Sequence, residues 1–360
     1  MFEKRNTRTE ISSLGEFGLI KRLTKDIPIN NPSTVKGIGD DAAVMDFKGR
    51  LVLSSQDLLV EGVHFDLTYF PLKHLGYKAA VVNISDIYAM NGVPTQLTAG
   101  IAVSNRFAVE ALEEIYDGMK LACKKYNVDF VGGDTTASPH GLFLSVSILG
   151  ETENPVYRSG AKENDLLCVS GDLGGAYMGL LLLEREKQAY KANPDMQPDL
   201  SGYDYLLERQ LKPEARADIQ KLLHDAGVKP TAMIDISDGL ASEILHLCTE
   251  SKTGCNLYEE KIPLDIKTGE LAKEFNIAPA VAALSGGEDY ELLFTVDQKD
   301  YEAVKAIAEI SIIGHMTDIG NSANLVSKDG VVAPLTAQGW DALLNKEPQD
   351  NNNADNKNEE

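Results

Sequence analysis

The sequence predicts an α+β chain of two domains. Its 360 residues suit about two domains on a prior of roughly 150 residues each. Apolar β-rich runs alternate with stretches of helical period, with long excursions between them, which suggests α+β layers. Around residues 152–165 the texture turns polar, with Pro155 and Gly160, before a fresh apolar strand opens at Leu166. The expected division is a flexible N-terminus (1–10), an N-terminal domain (11–155), a C-terminal domain (156–345) and a disordered tail rich in Asn, Asp and Glu (346–360).

In the first domain Gly15 to Leu23 reads as a short amphipathic helix. Leu51 to Ser55 reads as a strand ending just before Asp57. From Leu72 to Met90 apolar residues recur at helical spacing until Asn91-Gly92 stops them. Asn83 and Asp86, three apart on that helix, share a face. Strands are expected over Leu97 to Val103 and Leu142 to Leu149. Between them the pattern predicts a helix from Ala108 to Tyr126, then a strand and turn from Val128 to Gly133. In the second domain a strand spans Leu166 to Ser170, a helix Tyr177 to Glu186, and a polar surface loop Lys187 to Gly202. A helix then covers Glu214 to Ala226, and another starts near Gly239.

The formal net charge is −21 and 43% of residues are hydrophobic. The chain can therefore build ordinary cores, but it lacks the basic footprint of a nucleic-acid or anionic-membrane binder. Cys123, Cys168, Cys248 and Cys255 form no C-x-x-C pair and no zinc spacing, and read as buried reduced thiols. The N-terminus has no apolar signal core, and no run approaches the ~18 apolar residues of a membrane span. A cytoplasmic enzyme fits.

The chemistry sits in acidic, glycine-rich turns far apart in sequence. They are Gly37 to Ala42 with Asp40 and Asp41, then Asp57, Asn83 to Asp86, Gly132 to Thr136 with Asp134, Asp235 to Gly239 with Asp238, and Gly286 to Asp289 with Glu288. Converging carboxylates repel unless cations lie between them. All-oxygen donors suit Mg²⁺, which shares its shell with substrate phosphates. The pattern thus suggests a phosphate substrate. Gly37 to Ala42 matches G-x-G-x-x-A, but two aspartates would repel a pyrophosphate and the continuation looks extended, so a metal turn is the better reading. No P-loop and no protein-kinase motif set occurs. Asp235 and Ser237 serve equally as helix caps or as a metal–phosphate clamp. Arg158 is a plausible phosphate fork. His64 lacks a Ser or Cys partner pattern and reads as a substrate contact or a core histidine. Trp340, the single tryptophan, reads as core packing or a ring clamp. Asn83-Ile-Ser-Asp86 and Asp235-Ile-Ser-Asp238 echo each other, consistent with two related domains facing one site.

Taken in order, these strings resemble the thiamine-monophosphate kinase family, from Gly15-Glu-Phe to Gly339-Trp340. The resemblance implies the two-domain fold of aminoimidazole ribonucleotide synthetase, often called PurM-like. In it the N-terminal sheets pair into a barrel across a homodimer, and the C-terminal domain is an α/β sandwich. It implies ATP-dependent conversion of thiamine monophosphate to thiamine diphosphate, the last step of that cofactor's synthesis, with several Mg²⁺ ions. By motif, Asp41, Ser55, Gln56, Asp57, Asp86, Asp134, Asp235 and Asp238 resemble the metal ligands. Gly133, Asp134, Arg158 and Ser237 resemble the ATP contacts, and His64, Glu288 and Trp340 the thiamine phosphate pocket. Gln56 departs from the family's usual Thr. The departure is harmless where the backbone carbonyl is the ligand and weakens a metal site where the hydroxyl is.

The acceptor would be a phosphate oxygen already anionic at pH 7, so no general base is needed. The barrier is repulsion: two unit charges ~4 Å apart at an effective dielectric near 20 repel by about 4 kcal/mol. Direct in-line transfer follows as the expected route. A selenophosphate synthetase would need a reactive Cys with a nearby Lys before Gly37, which this chain lacks. An aminoimidazole ribonucleotide synthetase would replace the His64 and Glu288 strings. A Mg²⁺-dependent phosphohydrolase would release ADP without thiamine monophosphate, and an acidic metal buffer would bind Mg²⁺ without turnover.

Overall fold

The computed structural model describes Gly18, Lys21, Asn30, residues 32–195 and residues 197–337. The N-terminal ten residues, Trp340 and the expected tail lie outside the described residues. Of the helix expected from Gly15 to Leu23, only Gly18 and Lys21 are described, and both are helical.

Two mixed sheets organise the chain. The first contains β1 (Thr34–Lys36), β2 (Ala43–Asp46), β3 (Leu51–Val60), β4 (Val93–Val103), β5 (Asp129–Ala137) and β6 (Leu142–Thr152), in the order β1-β2-β3-β6-β4-β5. Its pairs are antiparallel except β4 with β5, which are parallel. A parallel pair needs a crossover, and the helix α2 (Val109–Tyr126) supplies it. Alternate residues of the central strands, such as Leu53, Leu97, Leu144 and Val146, are buried on one face. The other face is bare, with Leu58, Val131 and Leu149 exposed. The sheet is open, and the described chain closes no barrel by itself.

The helix α1 (Leu72–Ala89) lies on the covered face of that sheet, against β3, β4 and β6, and also reaches β8 (Ala232–Asp235) of the second sheet. It is apolar nearly all round because it is buried nearly all round. Its approach to α2 depends on two glycines. A Cβ on Gly76 would stand 1.8 Å from the Ile115 carbonyl oxygen, and one on Gly118 would stand 1.9 Å from that of Lys73.

The second sheet runs β13-β12-β9-β11-β7-β10-β8. Its central strands are β7 (Leu166–Ser170), β8 (Ala232–Asp235), β9 (Gly254–Tyr258), β10 (Leu292–Val296) and β11 (Ile310–Thr317). The edge strands β12 (Ala323–Val326) and β13 (Val332–Pro334) complete it. Both faces are covered. Leu167, Val169 and Ile234 join one apolar cluster with α6 (Leu240–Ser251), while Cys168, Met233 and Phe294 join another with Ile219 and Leu223. Further helices are α3 (Gly175–Ala192), α4 (Asp204–Leu211), α5 (Ala217–Asp225), α7 (Ile266–Glu274), α8 (Pro279–Ser285) and α9 (Tyr301–Lys305). This matches the expected mixed α+β plan.

Three local expectations differ. Strand β3 continues through Asp57 to Val60, since Asp57 pairs with Val146 of β6. Gly132 to Thr136 forms the body of β5 rather than a turn, because β4 offers it a parallel partner. Helix α3 runs from Gly175 to Ala192 and takes in the start of the expected loop, while α4 begins at Asp204, just past its end. The polarity of Lys187 to Gly202 reflects exposure, which a surface helix shares with a loop.

Candidate active site

A cavity of about 280 Å³ opens where the two sheets meet across α1. Strand β3 contributes Ser55, Gln56 and Asp57 to its wall, α1 contributes Lys78 and Asp86, and β8 ends on Asp235. The turn before β2 brings Asp41. Ligand oxygens of Asp41, Asp86 and Asp235 all lie within 4.8 Å of one another.

The alternation of β3 explains the geometry. Ser55 and Asp57 share the covered face with Leu53 and Leu59, whereas Gln56 points to the bare face. Ser55 Oγ donates to Asp86 Oδ2 (2.5 Å), and the Asp57 backbone N–H donates to Asn83 Oδ1 (3.1 Å). Ser85 Oγ donates to Asp235 Oδ2 (2.5 Å), so the two echoed strings touch directly. They do so from different elements, a helix interior and a strand end, and are not equivalent positions. Gln56 Nε2 instead donates to Ser145 Oγ (2.8 Å) on β6.

These carboxylates are strained electrostatically. Burial, then the charge on Asp41, pushes Asp57 up to about 6. Burial and Asp41 push Asp235 up to about 8, opposed by the hydrogen bond from Ser85. Asp86 is raised well above its ordinary value by burial and by Asp57, Asp235 and Asp41. An all-oxygen cluster whose members resist losing their protons fits a hard divalent cation, which would remove that penalty. The donor set therefore suits Mg²⁺.

Arg158 supplies a cationic fork here. Its Nε and Nη2 donate to Asp41 at 3.2 and 2.9 Å, and its backbone N–H donates to Asp40 Oδ1 at 2.7 Å. Its guanidinium thus already occupies a carboxylate in the pattern expected for a phosphate. Ser237 lines the cavity, and the neighbouring Asp238 N–H donates to Glu243 Oε1 (2.9 Å) at the start of α6. Glu243 is 2% exposed and held well above its usual range by burial and by Asp238. His64 accepts the Val60 N–H on Nδ1 (3.0 Å). Burial lowers its pKa, with Glu288 opposing, so it stands neutral near pH 7. His64, Glu288 and Arg158 all line the cavity.

The cavity wall therefore gathers Asp41, Ser55, Gln56, Asp57, His64, Asp86, Arg158, Asp235, Ser237 and Glu288. Gly133 and Asp134 are not brought there. They lie on β5, where Gly133 is in register with Ala99, Ala99 with Val146, and Val146 with Asp57. That is three strand spacings from the cage, about 14 Å. Asp238 lies beside the wall without lining it, and Trp340 is outside the described residues. Sequence reasoning passed over Lys78 and Glu243, and assigned Asp40 and Ser85 no role of their own within their strings. Ser85 sits within the Asn83–Asp86 string and was legible as a neighbour of its aspartate. Lys78 carried a usable signal, a lysine on the apolar face of a helix two turns before Asp86.

Residues 39–152 match the family model described as AIR synthase related protein, N-terminal domain, and residues 162–324 match AIR synthase related protein, C-terminal domain. Fold and cage together thus define a two-domain AIR synthase-related protein. The thiamine-monophosphate kinase of Bacillus subtilis (strain 168) is 32% identical over 335 residues, spanning 91% of this chain and 99% of that protein. That of Aquifex aeolicus (strain VF5) is 35% identical over 300 residues, 83% of this chain and 92% of that one. The solved complex "AaThiL complexed with AMPPCP and TMP" superposes with a TM-score of 0.81 at 32% identity, covering 93% of this chain and 99% of that one. This chain belongs to the thiamine-monophosphate kinase family.

Proposed function

We propose that the chain phosphorylates thiamine monophosphate with ATP to give thiamine diphosphate, by direct in-line transfer over the aspartate cage. One observation carries the reading: Asp41, Asp86 and Asp235, from three separate elements, converge within 4.8 Å in the cavity that also holds His64 and Glu288. The solved relative bound to AMPPCP and TMP supports the two substrates. Mg²⁺ held by Asp41, Asp57, Asp86 and Asp235, with Ser55 and the Gln56 carbonyl near Asp57 and Asp238 beside Asp235, would neutralise phosphate charge and align the reacting groups.

The protein's own groups do the rest. Arg158 exchanges its Asp41 partner for a nucleotide phosphate, a match of fork to anion. Ser237 adds a hydroxyl donor at the same wall. His64, neutral and anchored through Nδ1, presents its other nitrogen to thiamine monophosphate, and Glu288 faces it across the cavity. Trp340 completes that pocket in this reading. No side chain takes a proton from the acceptor phosphate, which is anionic at neutral pH.

Gly133 and Asp134 act on ATP and metal through a homodimer. The bare face of the first sheet, with Leu58, Val131 and Leu149 exposed, is where two copies close a barrel. That pairing supplies β5 of one copy to the cage of the other, which answers the distance of Asp134 from Asp57. The domain boundary falls at 155/156, and the setting is cytoplasmic. Among the described residues no helix is long and apolar enough to cross a membrane.

The test is thiamine diphosphate formation by purified protein with ATP, Mg²⁺ and thiamine monophosphate. Inversion at the transferred phosphorus is expected with chiral ATPγS. Retention would point to a phosphoenzyme, and ADP release without thiamine monophosphate would point to a hydrolase.

A further inference from the structure

Lys78 is 1% exposed. Lysine is seldom buried so deeply without a partner, because its ammonium loses its hydration. Here Nζ stands 2.9 Å from Glu288 Oε2, donates to the Gln210 carbonyl oxygen (3.0 Å) and lies 5.5 Å from the centre of the Phe70 ring. Gln210 is also buried, at 2% exposed. Its Nε2 donates to the same Glu288 Oε2 at 3.0 Å. Two buried donors from α1 and α4 therefore converge on one oxygen of one carboxylate. Among the described residues Glu288 Oε1 receives no hydrogen bond.

The backbone fixes that carboxylate as well. Gly287, Glu288 and Tyr290 have φ of 71°, 59° and 52°, a left-handed run that side chains other than glycine adopt only when their surroundings impose it. The imposing bonds are visible. Glu288 N–H donates to the Ser237 carbonyl oxygen (2.7 Å) and Tyr290 N–H to that of Ile236 (2.9 Å). Between them the Asp289 carboxylate accepts the Gly174 N–H (2.8 Å). The turn is thus stitched to the one that carries Asp235 and Ser237.

Lys78, Val82 and Asp86 recur every four residues along α1, and all three line the cavity. One helix stripe therefore has an anionic end in the cage and a cationic end roughly 12 Å away. That cationic end does not face phosphate, since it is spent on Glu288. A carboxylate so neutralised is a poor magnet for a thiazolium cation and a good directed acceptor for an N–H donor.

We propose that Lys78 and Gln210 are positioning residues that hold Glu288 Oε2 so that Oε1 accepts a hydrogen bond from the amino group on the pyrimidine of thiamine monophosphate. The inference rests on the function proposed above and deepens it, by naming which part of the substrate is read and what orients the reader. It separates two jobs along α1: Asp86 serves the transferred phosphate, and Lys78 serves selection of the acceptor.

The experiment is steady-state kinetics on the full chain. Lys78→Met should raise KM for thiamine monophosphate at least about tenfold, the size of a lost charged hydrogen bond. KM for ATP should stay within about twofold. Gln210→Met should act in the same direction by about threefold. Replacing the substrate's amino group by hydrogen should raise KM about tenfold in the wild type and less than about twofold in Lys78→Met. Lys78→Met added to Glu288→Gln should cost no more than about twofold beyond Glu288→Gln alone. Losses that multiply in the double variant, or a Lys78→Met enzyme still discriminating against the deamino substrate, would overturn the proposal. So would an equal rise in both KM values. If Lys78→Met does not fold, a Gln210→Met enzyme with wild-type KM and discrimination overturns it. Wild-type protein that makes no thiamine diphosphate would instead defeat the underlying function.

Discussion

The cage and the edge strand place the same residue type in opposite settings. Asp41 and Asp235 are buried, hydrogen-bonded by Arg158 and Ser85, and crowded by like charges. Asp134 is exposed on β5, where it accepts the Thr135 N–H at 2.9 Å. Both occur in short glycine–aspartate strings that look alike in sequence. The difference shows what a cage costs. Carboxylates gathered from separate elements raise one another's pKa and weaken the metal-free fold, whereas a solitary exposed carboxylate costs the chain nothing.

The sharpest way to break the comparison is Asp235→Asn. It removes a negative charge from the centre of the cage, so kcat should fall by about 10²–10³. The same change should stabilise the metal-free protein. The sign follows from linkage. Asp235 is raised to about 8 in the fold against roughly 3.9 unfolded. Its favourable contribution is therefore complete below about pH 4 and lost as pH rises toward 8. His246, lowered to about 4 by burial and by Arg158, works the other way, but only below its unfolded value of about 6.5. Between pH 6.5 and 8.5 the melting temperature of the metal-free wild type should drop by about 4 °C. Asp235→Asn should flatten that slope, and Mg²⁺ should do the same for the wild type. A wild-type slope that survives undiminished in the variant would show that Asp235 is not its source.

Asp134→Asn tests the other side. Its stability should stay within about 0.5 kcal/mol of wild type, as for exposed sites generally. Its kcat at saturating Mg²⁺ should nonetheless fall by about 10². Mixing this variant with Asp235→Asn should restore part of the activity, because a mixed dimer contains one cage with intact Asp235 facing one intact Asp134. Normal kcat in Asp134→Asn would remove β5 from the chemistry, and absent complementation would remove the partner copy.

Much of this contrast was legible beforehand, for unequal reasons. Asp57, Asp86 and Asp235 could be read because each ends or interrupts an apolar run, where an unpaired carboxylate needs an explanation. Helix α1 was legible because burial on all sides leaves a long apolar pattern with a clear stop at Asn91. The far placement of Asp134 was not, since spatial order in a sheet is set by pairing between residues far apart in sequence, here Gly100 with Asp134 and Asp57 with Val146, rather than by local pattern. The extent of β5 was missed for the same reason: Gly132 to Thr136 has turn composition and becomes strand only because β4 is beside it. Lys78 sat in a helix legible as buried, but its role depends on its partners on α4 and in the Glu288 turn, which are more than 130 residues away in sequence.

Gln56 offers the smallest expected effect and the finest test. It lies between two residues of the cage wall, and in sequence its departure from Thr looked capable of weakening a metal site. The pleat removes that concern. Asp57 and Ser55 face α1, while the Gln56 side chain faces the bare side and bonds Ser145. Only the Gln56 backbone can serve the cage. Gln56→Thr should therefore leave kcat and the Mg²⁺ dependence within about twofold of wild type. Its effect should show in the dimer instead, because Gln56 and Ser145 belong to the face through which two copies are proposed to meet. A Mg²⁺ requirement that shifts strongly at unchanged dimer affinity would mean that residue 56 reaches the metal by its side chain, and the strict division between caged face and bare face would not hold.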